Sequence, residues 1–279
     1  FSLMPTRPIL IDPKLGSGPV QYKEYQFFVP QKMKWDDEYI KNMQLHVRIA
    51  GTMVVGDGSI FSWPNVEADS FDLAAAHIRT STLSSFPMLK IDEENKIIII
   101  PKGEWIVNQD LVVPPGYTFR GGPGVTLDLR NNASFISYSP LSFVGTQGDP
   151  FIITSFDRSG GGVIVLHAKT TSIIHDMQFS NLRPPSYGPW GVSGAVTFYD
   201  SPVQFRKTSF TSMDAEDALN IKNSNFIFDS SAIIDTPSDC VDIDFGFGII
   251  NSSTFVRCGN DGLDFSGSSI KVEDVDIID

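Results

Sequence analysis

The feature that most constrains this chain is a repeat of 22 residues in its last third. Asp217-Ala-Leu-Asn-Ile-Lys222 is followed at that interval by Asp239-Cys-Val-Asp-Ile-Asp244, and then by Asp261-Gly-Leu-Asp-Phe-Ser266. The rest of each unit keeps register: Phe228, Ile250 and Val272 correspond, as do Ile233, Phe255 and Ile277. A step of 23 residues backwards lays Ala195-Val-Thr-Phe-Tyr199 on Ala218-Leu-Asn-Ile-Lys222. A fixed period of this length means that each unit buries its apolar side only by stacking on the next, which is a solenoid.

The apolar pieces are short and alternate with period two, as in Leu219/Ile221 and Val241/Ile243, which places one strand face inward. Glycine, asparagine and serine punctuate them as turns do. Three short strands and three turns need roughly 20–25 residues, and successive coils stack at the strand spacing of about 4.8 Å. The expected fold is therefore an all-β solenoid, a right-handed parallel β-helix with coils of about 22 residues. Its first coil reads from Lys96-Ile-Ile-Ile-Ile-Pro and Gly103-Glu-Trp-Ile-Val107 to Leu111-Val-Val113 and Tyr117-Thr-Phe119. The stretch Arg183-Pro-Pro-Ser-Tyr-Gly-Pro-Trp-Gly-Val-Ser-Gly194 breaks the period and reads as a loop at one coil edge. Residues 1–95 read as a small α+β module or solenoid cap, with strands near Tyr25–Val29 and Gln44–Val55 and a helix at Asp69–Arg79. Residues 96–279 form the solenoid. The chain stops at Val275-Asp-Ile-Ile-Asp279 in mid-strand pattern, so further coils or end-to-end stacking are expected.

Charge is distributed unevenly. The net charge is −12, and residues 214–279 hold 14 acidic side chains against Lys222, Arg257 and Lys271. The first 213 residues are nearly balanced, with 19 acidic and 18 basic. Such a surface repels nucleic acid and anionic membranes and attracts cations or basic partners. No apolar run is long enough to span a bilayer. Cys240 and Cys258 lie 18 residues apart, in no metal-site spacing; two free thiols are expected slightly ahead of one disulfide.

Stacking brings distant residues together. Asp217, Asp239 and Asp261 begin the same strand on successive coils, at a separation of about 5 Å that suits paired-carboxylate acid/base chemistry. The competing reading is that each caps its own turn through backbone N–H groups. If Leu219 and Ile221 point inward, Asn220, Asp242 and Asp264 point outward, beside Lys222, Asp244 and Ser266. Asp242, Asp244 and Asp264 are then hard oxygen ligands for Ca²⁺, or a solvated acidic ladder. Lys222 is the one cation placed to act as a base. Tyr187, Trp190 and Tyr199, on or just after the proline-rich loop, either stack on sugar rings or anchor the loop. The four histidines are dispersed and form no metal or nucleophile motif.

Residues 96–279 resemble the pectin-lyase-like superfamily of right-handed parallel β-helices. The likeness is carried by Pro101-Lys-Gly-Glu-Trp-Ile-Val107, Pro114-Pro-Gly-Tyr-Thr-Phe-Arg-Gly121 and Gly194-Ala-Val-Thr-Phe-Tyr-Asp-Ser-Pro202. It continues through Glu216-Asp-Ala-Leu-Asn-Ile221 and Gly259-Asn-Asp-Gly-Leu-Asp-Phe-Ser-Gly-Ser268, which are similar to bacterial surface β-helix repeats. A narrower similarity is to polygalacturonase-type glycoside hydrolases, which carry Asn-Thr-Asp-Gly and Gly-Asp-Asp-Cys motifs on consecutive coils. Asp217-Ala218 and Ser238-Asp239-Cys240 fall at matching places, with serine where the family has the first aspartate of its pair. The family's Gly-His-Gly and Arg-Ile-Lys motifs do not occur. The resemblance implies a secreted or cell-surface protein that binds or processes polysaccharide along the acidic face, as a lyase or glycoside hydrolase if it is an enzyme. The alternative is a non-catalytic structural or adhesive scaffold.

Overall fold

The computed structural model describes residues 44–48, 55–59, 79–187 and 190–279. The chain divides into two units. In one, Gln44–Arg48 pairs antiparallel with Val55–Ser59. The strand expected at Tyr25–Val29 and the helix expected at Asp69–Arg79 fall outside the described residues, apart from Arg79 itself. The other unit is the solenoid, a right-handed parallel β-helix.

Three faces make up each coil. The first face is a seven-stranded parallel sheet: Leu111–Val113, Phe135–Ser137, Val163–Leu166, Gly194–Tyr199, Asp217–Lys222, Asp239–Asp244 and Leu263–Ser266. The second and third faces share one sheet. Its later strands, Ser172–Ser180, Val203–Thr211, Phe247–Cys258 and Ser269–Ile278, bend across both. Register on the first face gives the coil lengths directly. Gly194 pairs with Asp217, 23 positions on, and Asp217 with Asp239, 22 positions on. Val163 pairs with Val196, 33 positions on, so the proline-rich insertion is accommodated in that coil. Arg183 pins the start of the insertion, donating to the carbonyls of Gly160 (3.1 Å) and Ser159 (2.9 Å) and to the Asn132 side chain (2.8 Å).

Single residues make the corners. His167, Asp200, Asn223 and Phe245 follow the first face and all have φ between 47° and 54°. Asp176, Lys207, Ser230, Ser252 and Asp274 form a second left-handed column, and Asn181, Ser212, Asp235 and Arg257 a third. One left-handed residue turns the chain sharply, which non-glycine residues adopt at a cost of about 1–2 kcal/mol each. Polar side chains predominate because short Asp, Asn and Ser bear this conformation best.

Hydroxyls after the corners stitch one coil to the next. Ser231 Oγ donates to the Asp229 carbonyl (2.8 Å) and accepts from the Thr208 backbone N–H (3.0 Å). Ser253 repeats this one coil on, donating to the Asn251 carbonyl (2.7 Å) and accepting from Ser231 N–H (3.2 Å). At the first corner Ser201, Ser224 and Ser268 do the same for Ala168, Ser201 and Gly246. The pattern satisfies the N–H groups that a corner removes from the regular ladder, where an unpaired buried donor is costly.

Inside, aromatic rings stack in step with the coils. Phe179 and Phe210 lie 4.9 Å apart and nearly parallel, and Phe228 stacks on Phe255 at 5.7 Å. At the N-terminal side, Thr82 caps the edge of the first face: its N–H donates to the Val112 carbonyl and its Oγ1 accepts from Val112 N–H. Leu83 and Phe86 are buried in the core, and Lys90–Asp92 pairs antiparallel with Ile97–Ile100. These contacts occupy strand edges that would otherwise be open. Among the described residues no helix is long and apolar enough to cross a membrane.

Candidate functional site

The first face places the repeat's carboxylates in register. Asp217 is the Cα partner of Asp239, and Val241 is that of Leu263, which sets Asp261 in the same column one coil later. Core residues on this face are Val163, Val196, Leu219, Val241 and their alternates. The intervening positions point away from the core. Read along the solenoid, this outer column is Val112, Ile136, Ile164, Thr197, Asn220, Asp242 and Asp264. The first five are buried and the last two half-buried. A second outer column runs Leu166, Tyr199, Lys222, Asp244 and Ser266. The outer surface thus changes from aliphatic to hydrogen-bonding to acidic along its length.

Each carboxylate has a distinct environment. Asp239 is buried, and its Oδ1 accepts from Asn260 Nδ2 (2.8 Å) and from the Asp261 backbone N–H (2.9 Å). Both donors lie one coil further on, so Asp239 joins two coils instead of capping its own turn. Asp217 is 2% exposed, and its Oδ2 has no hydrogen-bond partner. Burial pushes its carboxyl up to about 6; a hydrogen bond from Ser193 opposes the shift, and the charges of Glu216, Asp239 and Asp244 add to it. Asp242 is raised further, to about 7, first by burial and then by Asp244, Asp217 and Asp264, while its hydrogen bond from Asn220 Nδ2 (2.8 Å) lowers it. Asp244 is held in an ion pair with Lys222 at 2.8 Å. Lys222 therefore lies on the outer surface as expected, but with its ammonium committed to a carboxylate.

Of the residues proposed for metal binding, Asp264 joins a converging group, but with Asp239 and Asp261 in place of Asp242 and Asp244. Carboxylate oxygens of Asp239, Asp261 and Asp264 lie within 4.8 Å of one another, the one such acidic group among the described residues. Asp242 and Asp244 are instead engaged by Asn220 and Lys222. Ca²⁺ takes about six to eight oxygens. Three carboxylates, one already accepting two N–H donors, supply a partial shell only, so the fit to a resident calcium ion is poor.

Tyr199 lies in the second outer column, with His167 edge-on at 5.5 Å and His167 paired to Asp200 at 3.0 Å. Tyr187 and Trp190 fall in the short strands Ser186–Tyr187 and Trp190–Gly191, and their side chains lie outside the described residues. Cys240 and Cys258 are joined by a disulfide with Cα atoms 5.4 Å apart, against the expectation of free thiols. The period makes this pair neighbours: Cys258 pairs with Thr236, four residues before Cys240, so the bridge spans the turn between the third and first faces. Asn260 and Ser193 were not singled out from the sequence. Asn260 sits one position before Asp261, and in a parallel stack such a position faces the preceding coil's Asp239. Comparison of the chain with family models, with curated proteins and with solved structures finds no match in any of the three.

Proposed function

We propose that this chain is a secreted or cell-surface β-helix of the pectin-lyase-like kind that holds a polysaccharide along the outer surface of its first face. The observation that carries the reading is the accessible end of these columns, Asp242 and Asp264 beside Tyr199, Lys222 and Asp244. These groups repeat at the coil spacing along a straight line, which suits a polymer with regularly repeated polar groups better than a compact ligand. Tyr199 offers a ring for a sugar face, and the carboxylates offer acceptors for hydroxyl or ammonium donors. The disulfide favours an oxidising compartment, consistent with secretion. Asp242, raised to about 7, retains a proton near neutrality and supplies the acid that glycosidic cleavage requires.

The test is capture on an immobilised polysaccharide panel, with released reducing ends and unsaturated products measured in parallel, with and without Ca²⁺. Retention of a polysaccharide by the unaltered protein, and its loss in Asp242→Asn and Asp264→Asn, is the expected result. Turnover abolished by Asp242→Asn and Asp217→Asn assigns catalysis to this face. A protein that retains no member of the panel is a scaffold, and the reading fails.

A further inference from the structure

The last coils carry more negative charge than they can neutralise. All three of their basic side chains are already engaged: Lys222 with Asp244 (2.8 Å), Arg257 with Asp235, and Lys271 with Glu273 (2.8 Å). No lysine or arginine among the described residues forms an ion pair with Asp217, Asp239, Asp242, Asp261 or Asp264. These five lie on two neighbouring columns of the first face. Behind them sits a second, independent feature. Asp217 is buried, yet its Oδ2 accepts from nothing. The carboxylate is one rung from Asp239 in register and near enough to act on Asp242, so this open acceptor lies beside the acidic group. A buried acceptor without a donor costs free energy that a donor in a ligand recovers.

We infer that the polysaccharide held on this face is polycationic, an amino-sugar polymer with free amines whose ammonium groups seat against Asp242 and Asp264 and beside Asp239 and Asp261. This rests on the polysaccharide reading above and names its chemical class. A polyuronate would set its own carboxylates against five others, and like charges so placed cost several kcal/mol. A neutral glycan would leave their repulsion unrelieved. An ammonium donates up to three hydrogen bonds and needs no closed shell of oxygens, which matches a linear ladder better than calcium does. Carboxylates repeating every rung, at about 4.8 Å, present regularly spaced acceptors to a polymer of regularly spaced amines.

The experiment is calorimetry at about pH 7.5, where Asp217 and Asp242 are mostly ionised, in buffer containing EDTA, with three hexasaccharide probes: β-1,4-linked glucosamine, its fully N-acetylated counterpart and oligogalacturonate. The glucosamine oligomer should bind at least about tenfold more tightly than either of the others and weaken steeply with salt. Asp242→Asn and Asp264→Asn should each lower that affinity by about fivefold or more. Asp276→Asn, which removes the same charge from the third face, should leave it unchanged. Equal or tighter binding of the acetylated or uronate probe overturns the cationic assignment and leaves the polysaccharide reading standing. An equal loss in Asp276→Asn shows attraction to net charge and overturns the site. Absence of binding by all three, together with an empty polysaccharide panel, overturns both.

Discussion

Replacing Ser231 with alanine should destabilise the solenoid far beyond the loss of one surface hydroxyl. Ser231 follows the left-handed corner residue Ser230 and is 4% exposed. Its Oγ donates to the Asp229 carbonyl at 2.8 Å and accepts from Thr208 N–H at 3.0 Å. Alanine keeps the backbone bond from Ser231 N–H to Ser253 Oγ but removes both side-chain bonds. Thr208 is 1% exposed, so water does not reach its N–H. A buried donor left without a partner costs about 1–3 kcal/mol. The Asp229 carbonyl is half-buried and recovers part of its loss from solvent, so the total should be about 2 kcal/mol. Ser209→Ala is the matched control: Ser209 lies on the outer side of the third face, paired in register with Ala232, and should change stability by less than about 0.5 kcal/mol. Urea unfolding should show a lower midpoint with unchanged slope for Ser231→Ala. Ser231→Thr should restore the midpoint, because Thr208 makes the same back-bond to the Arg206 carbonyl (3.1 Å). Equal midpoints for Ser231→Ala and Ser209→Ala would refute the stitching argument.

Other expectations follow from the same structure. A carboxyl whose folded pKa exceeds its unfolded value binds its proton more tightly when folded, so its contribution to stability is lost as pH rises. Asp217, raised to about 6, and Asp242, raised to about 7, should therefore make the urea midpoint fall as pH rises from about 4 to 7; Asp242→Asn should flatten that fall, measured at several pH values across it. Lys207 is exposed with φ at 47°, so Lys207→Gly should stabilise by about 1 kcal/mol and Lys207→Val should destabilise, read from the same denaturation curves. Reduction of Cys240–Cys258, which closes an 18-residue separation, should cost about 3 kcal/mol, checked by unfolding after reduction confirmed by intact mass.

The repeat made the architecture legible because a solenoid converts sequence period into spatial contact. Pairings such as Asp217 with Asp239 and Leu219 with Val241 follow from counting residues. The outward placement of Asn220, Asp242 and Asp264 followed from alternation, as did that of Lys222 and Asp244. Corner chemistry was less visible. Turns were expected at glycine, asparagine and serine; Asn181, Ser212, Asn223, Ser230 and Ser252 fit, while Asp, Lys, Arg, His and Phe take the other corners, since one tight residue per corner is enforced by the pairing on either side. The acidic group was only partly legible, because a stack specifies which residues are neighbours but not where their side chains are drawn. Asp242 turns to Asn220 and Asp244 to Lys222, while Asp239, Asp261 and Asp264 converge instead. The disulfide was missed for a related reason: a separation of 18 spans most of a coil, and the contact depends on the turn between the third and first faces.

The central claim is that ligand is held on the outer surface of the first face, at its acidic end. Amide hydrogen exchange with and without a saturating captured polysaccharide tests it most directly. Protection should rise in Asp217–Lys222, Asp239–Asp244 and Leu263–Ser266, with residues 177–180 and 209–211 of the third face unchanged. Protection confined to the second or third face, or spread evenly along the coils, would contradict it.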